Sequence, residues 1–119
     1  MRTLSPGVSA VELTRAIEGR DAKSLAAFYA DALLRIVDQD NPPSKPREFK
    51  GKQAIASYFD DVCSRAMSHH IESSVTNGQT LAFTQACTYP DGTKVLCAAM
   101  LDIKDGKIVR QTAIQAWDA

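Results

Sequence analysis

The stretch QTLAFTQACTYPDGTKVLCAAMLDIKDGKIVRQTAIQAW, residues 79–117, decides the fold of this chain. Its β-rich runs, at about 79–89, 94–104 and 107–117, are separated by Asp91-Gly92 and Asp105-Gly106, which are strong hairpin signals. A fourth run, at about 70–76, precedes them across Asn77-Gly78. Pro90 ahead of Asp91-Gly92 favours a type I turn closed by a left-handed glycine, because proline suits the first turn position. That register sets Tyr89 opposite Thr93, Cys87 opposite Val95 and Gln85 opposite Cys97. The same turn at Lys104-Asp105-Gly106-Lys107 sets Ala99 opposite Gln111 and Val95 opposite Gln115.

Strand alternation then sorts the side chains into two faces. One carries Leu81, Phe83, Gln85, Cys87, Tyr89, Val95, Cys97, Ala99, Leu101, Ile103, Val109, Gln111, Ala113, Gln115 and Trp117. It has the bulk and is expected to pack against helices. The other is small and rich in Thr and Ala, with Leu96, Met100, Ile108, Arg110 and Ile114 among them. A sheet back of that kind needs covering, so a homodimer through this outer face is expected.

Upstream, Ser9 to Glu12 reads as a capping box opening a helix to about Glu18, with Val11, Leu13, Ala16 and Ile17 as its apolar stripe. Asp21 caps a second helix carrying Leu25, Ala26, Phe28 and Tyr29. A strand follows at Leu33–Asp38, then an irregular loop at Asn41–Pro46, where the prolines remove donors and fix φ. Gly51 starts a third helix, with Ala54, Ile55, Tyr58, Phe59, Val62 and Met67 at helical spacing. Three N-terminal helices leading into a meander define an α+β class, one domain over residues 1–119.

Lys+Arg and Asp+Glu balance at 14 each, so no basic footprint points to nucleic acid or an anionic membrane. No stretch approaches the ~20 apolar residues of a membrane span, and residues 1–10 resemble neither a leader nor an anchor. Cys63, Cys87 and Cys97 are odd in number and lack metal-ligand spacing, so they read as reduced thiols in the cytoplasm. No metal site or cofactor motif is present.

Ala16–Asp31, with its acidic cap before a helix ending in Tyr-Ala-Asp, resembles the opening helices of the nuclear-transport-factor-2-like (SnoaL-like) superfamily. Phe49-Lys50-Gly51 followed by Gln53–Phe59 is similar to its third helix, and Gly106–Asp118 to its final strand. The resemblance implies a cone-shaped, cystatin-like roll of curved, mostly antiparallel sheet, commonly dimeric, with a deep pocket at the open end. Its members include ketosteroid isomerases, polyketide cyclases, scytalone dehydratases, epoxide hydrolases and non-catalytic binding domains, so fold does not select a function. The isomerases' oxyanion donors, a tyrosine and a protonated aspartate, match Leu13 and Ala99 here, and their base falls at Ile36 or Val37. Against the dehydratases, His70 matches their strand histidine, with Tyr29 and Asp31 on a similar helix.

The candidate catalytic residues are therefore Asp38 and His70. Asp38 shares strand parity with Leu34 and Ile36, which turns it inward as a base, or else it ends the strand as an exposed acid. His70 is a proton shuttle or an exposed histidine at a strand start, and His69 is expected on the opposite face. Gln85, Gln111 and Gln115 on an apolar face need hydrogen-bond partners, supplied by each other or by a ligand. Tyr29, Tyr58, Phe83, Cys97 and Trp117 complete the expected ligand-binding set, with Trp117 either a wall or a plug. The leading expectation is a domain binding a small hydrophobic molecule. The alternatives are a cofactor-independent lyase or isomerase acting on a hydrophobic carbonyl compound, and a protein-interaction module whose cone is filled by side chains.

Overall fold

The computed structural model describes residues 8–118. The reading of the first residues as neither leader nor anchor falls largely on residues 1–7, outside those described. Helix α1 (Ala10–Glu18) is capped by Ser9, whose Oγ accepts from the Glu12 N–H at 3.2 Å. Leu13, Ala16 and Ile17 form its buried stripe. Val11, expected among them, points to solvent, because it precedes Leu13 by half a turn.

Asp21 caps α2 (Ala22–Ala27), accepting from the Ser24 N–H at 3.1 Å. This helix is shorter than expected. Tyr29 already opens β1 (Tyr29–Val37), and the Phe28 carbonyl accepts from the Ile108 N–H at 2.8 Å. Sheet pairing therefore overrides the helical spacing of Phe28 and Tyr29, as tertiary context does for a marginal six-residue helix.

The loop then leads into β2 (Arg47–Lys50), a strand the sequence reading did not anticipate. It is a four-residue edge strand whose exposed positions are charged, which blurs any β pattern. Helix α3 (Gly51–Ser64) starts at a left-handed Gly51 (φ +88°), where an added Cβ would lie 3.0 Å from Asp31 Oδ1. It ends before Met67, which instead packs in a satellite cluster with Cys87 and Val95.

Strands β3 (Ser68–Thr76), β4 (Thr80–Thr88), β5 (Lys94–Lys104) and β6 (Lys107–Trp117) follow. All six strands form one curved sheet in the order β2-β1-β6-β5-β4-β3, antiparallel except for β1 beside β6. The β4–β5 turn has the expected register, with Cys87 opposite Val95 and Gln85 opposite Cys97. The β5–β6 turn does not. Asp105 (φ 53°) and Gly106 (φ 76°) make a two-residue turn with both centres left-handed, and a bulge at Ile108–Val109 adds one residue more.

Ala99 thus faces Ala113, Leu101 faces Gln111 and Val95 faces Trp117. The slip from the expected pairing is two residues, so most side chains keep their face. Ile108 is the exception. The bulge turns it from the outer face into the core, where it is fully buried.

The main core lies between the helices and the inner face, around Leu34, Ile36, Ile55, Leu81 and Leu101. Leu96, Met100 and Ile114 stand on the outer face at 52%, 57% and 57% exposure. No described helix is long and apolar enough to cross a membrane.

Candidate functional site

A cavity of about 590 Å³ lies between the helices and the inner face of the sheet. Leu13, Ile17, Leu25, Leu34 and Leu101 line its apolar part. Of the expected ligand contacts, Tyr29, Tyr58 and Phe83 border it, as do Gln85, Cys97, Gln111, Gln115 and Trp117. Asp38 also borders it, and His70 does not.

The wall along α3 is aromatic. Tyr58 packs at 5.3 Å from Phe59 and 4.7 Å from Phe49, and Tyr29 lies 5.4 Å from Phe59. The Arg47 guanidinium sits over the Phe49 and Tyr58 rings, at 5.4 and 5.9 Å from their centroids, a cation–π arrangement. Tyr29 donates its hydroxyl proton to Gln111 Oε1.

Burial dominates the titration of this lining. It pushes the Tyr29 phenol well above its usual range, with Tyr58 and Cys97 adding to the effect. Tyr58 is pushed up to about 12 by burial and by Cys97, against smaller opposing effects of Arg47, Arg65 and a hydrogen bond with Gln115. The Cys87 thiol rises to about 12, and Cys97 to about 11 with Gln115 opposing. Burial lowers the His69 imidazole, which a hydrogen bond with Gln85 partly offsets. Phenols and thiols therefore stay protonated at neutral pH and the His69 ring stays neutral. Neither cysteine is a thiolate nucleophile under those conditions.

The two histidines exchange the places expected of them. His69 faces inward, its Nδ1 3.1 Å from Cys87 Sγ. The ring tautomer decides which of the two donates in this contact. His70 faces outward with its side chain 74% exposed, and its Nδ1 lies 3.3 Å from Glu18 Oε2. The cause is a bulge between Ile71 and Ser73. The pairing of Thr76 with Leu81, carried on without it, would set His70 opposite Cys87; with it, His69 takes that position.

Asp38 is turned inward and is only 8% exposed. Its Oδ1 accepts from the Asp40 N–H and from Asn41 Nδ2, both at 2.9 Å, so one carboxylate oxygen holds the turn after β1. Trp117 is half-buried at the same end, its backbone held by the Gln39 side chain through two 2.9 Å hydrogen bonds. It is among the residues that line the cavity.

His69, Arg47 and Arg65 border the cavity and were not among the expected site residues. Arg47 lies on β2, opposite the inward-facing Ile36, so locating it requires the strand that the sequence pattern conceals. Among the described residues no group of three or more His, Cys, Asp or Glu side chains converges as a metal site.

A curved sheet closed on one side by three helices around a cavity places this chain in the nuclear-transport-factor-2-like class of α+β folds. It belongs to the SnoaL-like domain family, whose model matches residues 10–111. Among solved structures, it is similar to an NTF2-like protein of unknown function from Burkholderia xenovorans (14% identity, 89% of this chain and 78% of that one, TM-score 0.74). It is also similar to a proposed ketosteroid isomerase from Kribbella flavida (17% identity, 92% and 75%, TM-score 0.72). A third likeness is to a proposed polyketide cyclase from Sinorhizobium meliloti (19% identity, 86% and 89%, TM-score 0.64). At such identities the likeness shows the fold alone. Comparison with curated proteins finds no match.

Proposed function

We propose that this domain binds a compact, largely apolar small molecule inside the cone, without a cofactor. The cavity is the observation that supports this most: its volume of about 590 Å³ falls in the ~300–1,000 Å³ range of small-molecule sites. Its leucines and aromatic rings, bordered also by amides and by Asp38, Arg47, Arg65 and His69, suit a hydrophobic body with a polar end. A cone filled by its own side chains would leave no such volume, which weighs against a pure interaction module. Leu13 and Ala99 can donate no hydrogen bond from their side chains, which weighs against isomerase chemistry through an oxyanion hole.

A second reading, a cofactor-independent lyase or isomerase, draws on Asp38 and on His69, a neutral imidazole at the cavity wall suited to accept a proton. In that case Asp38→Asn and His69→Gln abolish turnover and leave binding nearly intact. We also propose a homodimer through Leu96, Met100 and Ile114 on the outer face, and a cytoplasmic location in keeping with the free cysteines.

The test is a thermal-shift screen against hydrophobic ketones, steroids, polyketide-like aromatics and terpenoid epoxides. A ligand at 100 times its Kd stabilises the fold by about 2.7 kcal/mol, a shift of several degrees. Silence across the panel would overturn the binding proposal in favour of a protein-binding role.

A further inference from the structure

We propose that the ligand carries a carbonyl oxygen at its buried end, and that Gln111, oriented by Tyr29, is the donor that selects it. This rests on the small-molecule reading above and names the chemistry of its polar contact. Gln111 lies on β6 between Leu34 of β1 and Leu101 of β5, both almost wholly buried. Its carboxamide therefore projects from the most apolar layer of the inner face, and the residue is only 8% exposed.

Tyr29, 2% exposed, donates its hydroxyl proton to the carboxamide oxygen. What remains for the cavity is the nitrogen with its two N–H groups. Among the described residues none accepts from that nitrogen, and it is not sealed off from the cavity. Turning the amide over would make the Tyr29 oxygen the acceptor and leave the phenol proton without a partner among the described residues. In that orientation the site offers the cavity a donor.

A group that accepts and carries no proton of its own fits this donor: a ketone, quinone, ester or lactone carbonyl. A hydroxyl would leave its own proton unpaired between leucines, and a hydrocarbon would leave the Gln111 donors unpaired. Tyr29 is a positioning residue here, because its hydroxyl proton is committed to Gln111.

The test compares 2-acetonaphthone, 1-(2-naphthyl)ethanol and 2-ethylnaphthalene by calorimetric titration of the intact protein, Gln111→Leu and Tyr29→Phe. The ketone is expected to bind about tenfold more tightly than the hydrocarbon, the equivalent of one net hydrogen bond. Gln111→Leu erases that margin and retains hydrocarbon binding. Tyr29→Phe lets the amide rotate and narrows the ketone-over-alcohol preference. The infrared carbonyl band of bound ketone moves to lower frequency in the intact protein and not in Gln111→Leu. Equal binding of ketone and hydrocarbon, or a margin that survives Gln111→Leu, would overturn the inference. Failure of all three probes to bind would remove the small-molecule reading itself, and this inference with it.

Discussion

Strands β4, β5 and β6 present two surfaces made by one alternation of side chains, yet the surfaces differ in how their residues are committed. On the inner face, Leu81, Leu101 and Ala113 are buried, and the interrupting amides and thiols have neighbours assigned to them: Gln111 to Tyr29, Cys87 to His69. On the outer face, Leu96, Met100 and Ile114 are more than half exposed, among threonines and alanines. The inner face is specified residue by residue. The outer face is specified only by small and apolar side chains around Leu96, Met100 and Ile114, the surface through which the proposed dimer would form. The same period of two therefore lines the cavity on one side and, by the proposed dimer, supplies a contact surface on the other.

The strongest way to break this contrast is Leu101→Ala. Its side chain is almost wholly buried, and its loss is expected to cost about 2–5 kcal/mol in urea unfolding, through lost transfer energy and a cavity. Tyr29→Phe comes next, at about 1–3 kcal/mol, because it strands the Gln111 carbonyl oxygen away from its donor.

The His69 effect is smaller and depends on pH. Burial holds its folded-state pKa below the ordinary 6.5, so the unfolded chain takes up the proton first as pH falls. Stability is full above about pH 6.5 and declines below it until the folded pKa is reached. His69→Gln is expected to flatten that decline in melts at pH 7.5 and 5.5. Ile114→Lys has the least effect on the monomer, within about ±0.5 kcal/mol, as surface substitutions do. By the proposed dimer it nevertheless shifts sedimentation toward the single chain; an unchanged sedimentation coefficient would remove the contact plane from the comparison.

The sequence carried the fold through its turn chemistry and caps. Asp91-Gly92 after Pro90 was enough to set the β4–β5 register, and Ser9 and Asp21 marked both helix starts correctly. Two bulges were not readable, because an extra residue in a strand leaves no compositional mark. One, at Ile108–Val109, moved Ile108 into the core. The other, between Ile71 and Ser73, exchanged His69 and His70. Adjacent residues of the same kind make such an exchange invisible to any pattern. The candidate ligand contacts were readable as far as alternation alone decides them, so Phe83, Gln85, Cys97, Gln111 and Gln115 border the cavity. Arg47 needed β2, and Tyr29 reached its place in a strand and not in the helix that its spacing favoured.

The position of β6 has a consequence for the nascent chain. It is the last strand in sequence, yet it sits between β1 and β5, joining the β2–β1 pair to the β5-β4-β3 meander. As the chain is synthesised, those two half-sheets exist first, each with an unpaired edge at the position β6 will fill. The parallel pairing of Leu34 with Gln111 spans most of the sequence, so this join is also the slowest contact to find by diffusion. Until it forms, both edges are templates for pairing with another chain. Premature termination between Lys104 and Ile108 would therefore leave two half-sheets on one chain, each with an adhesive edge and with the cavity unformed between them.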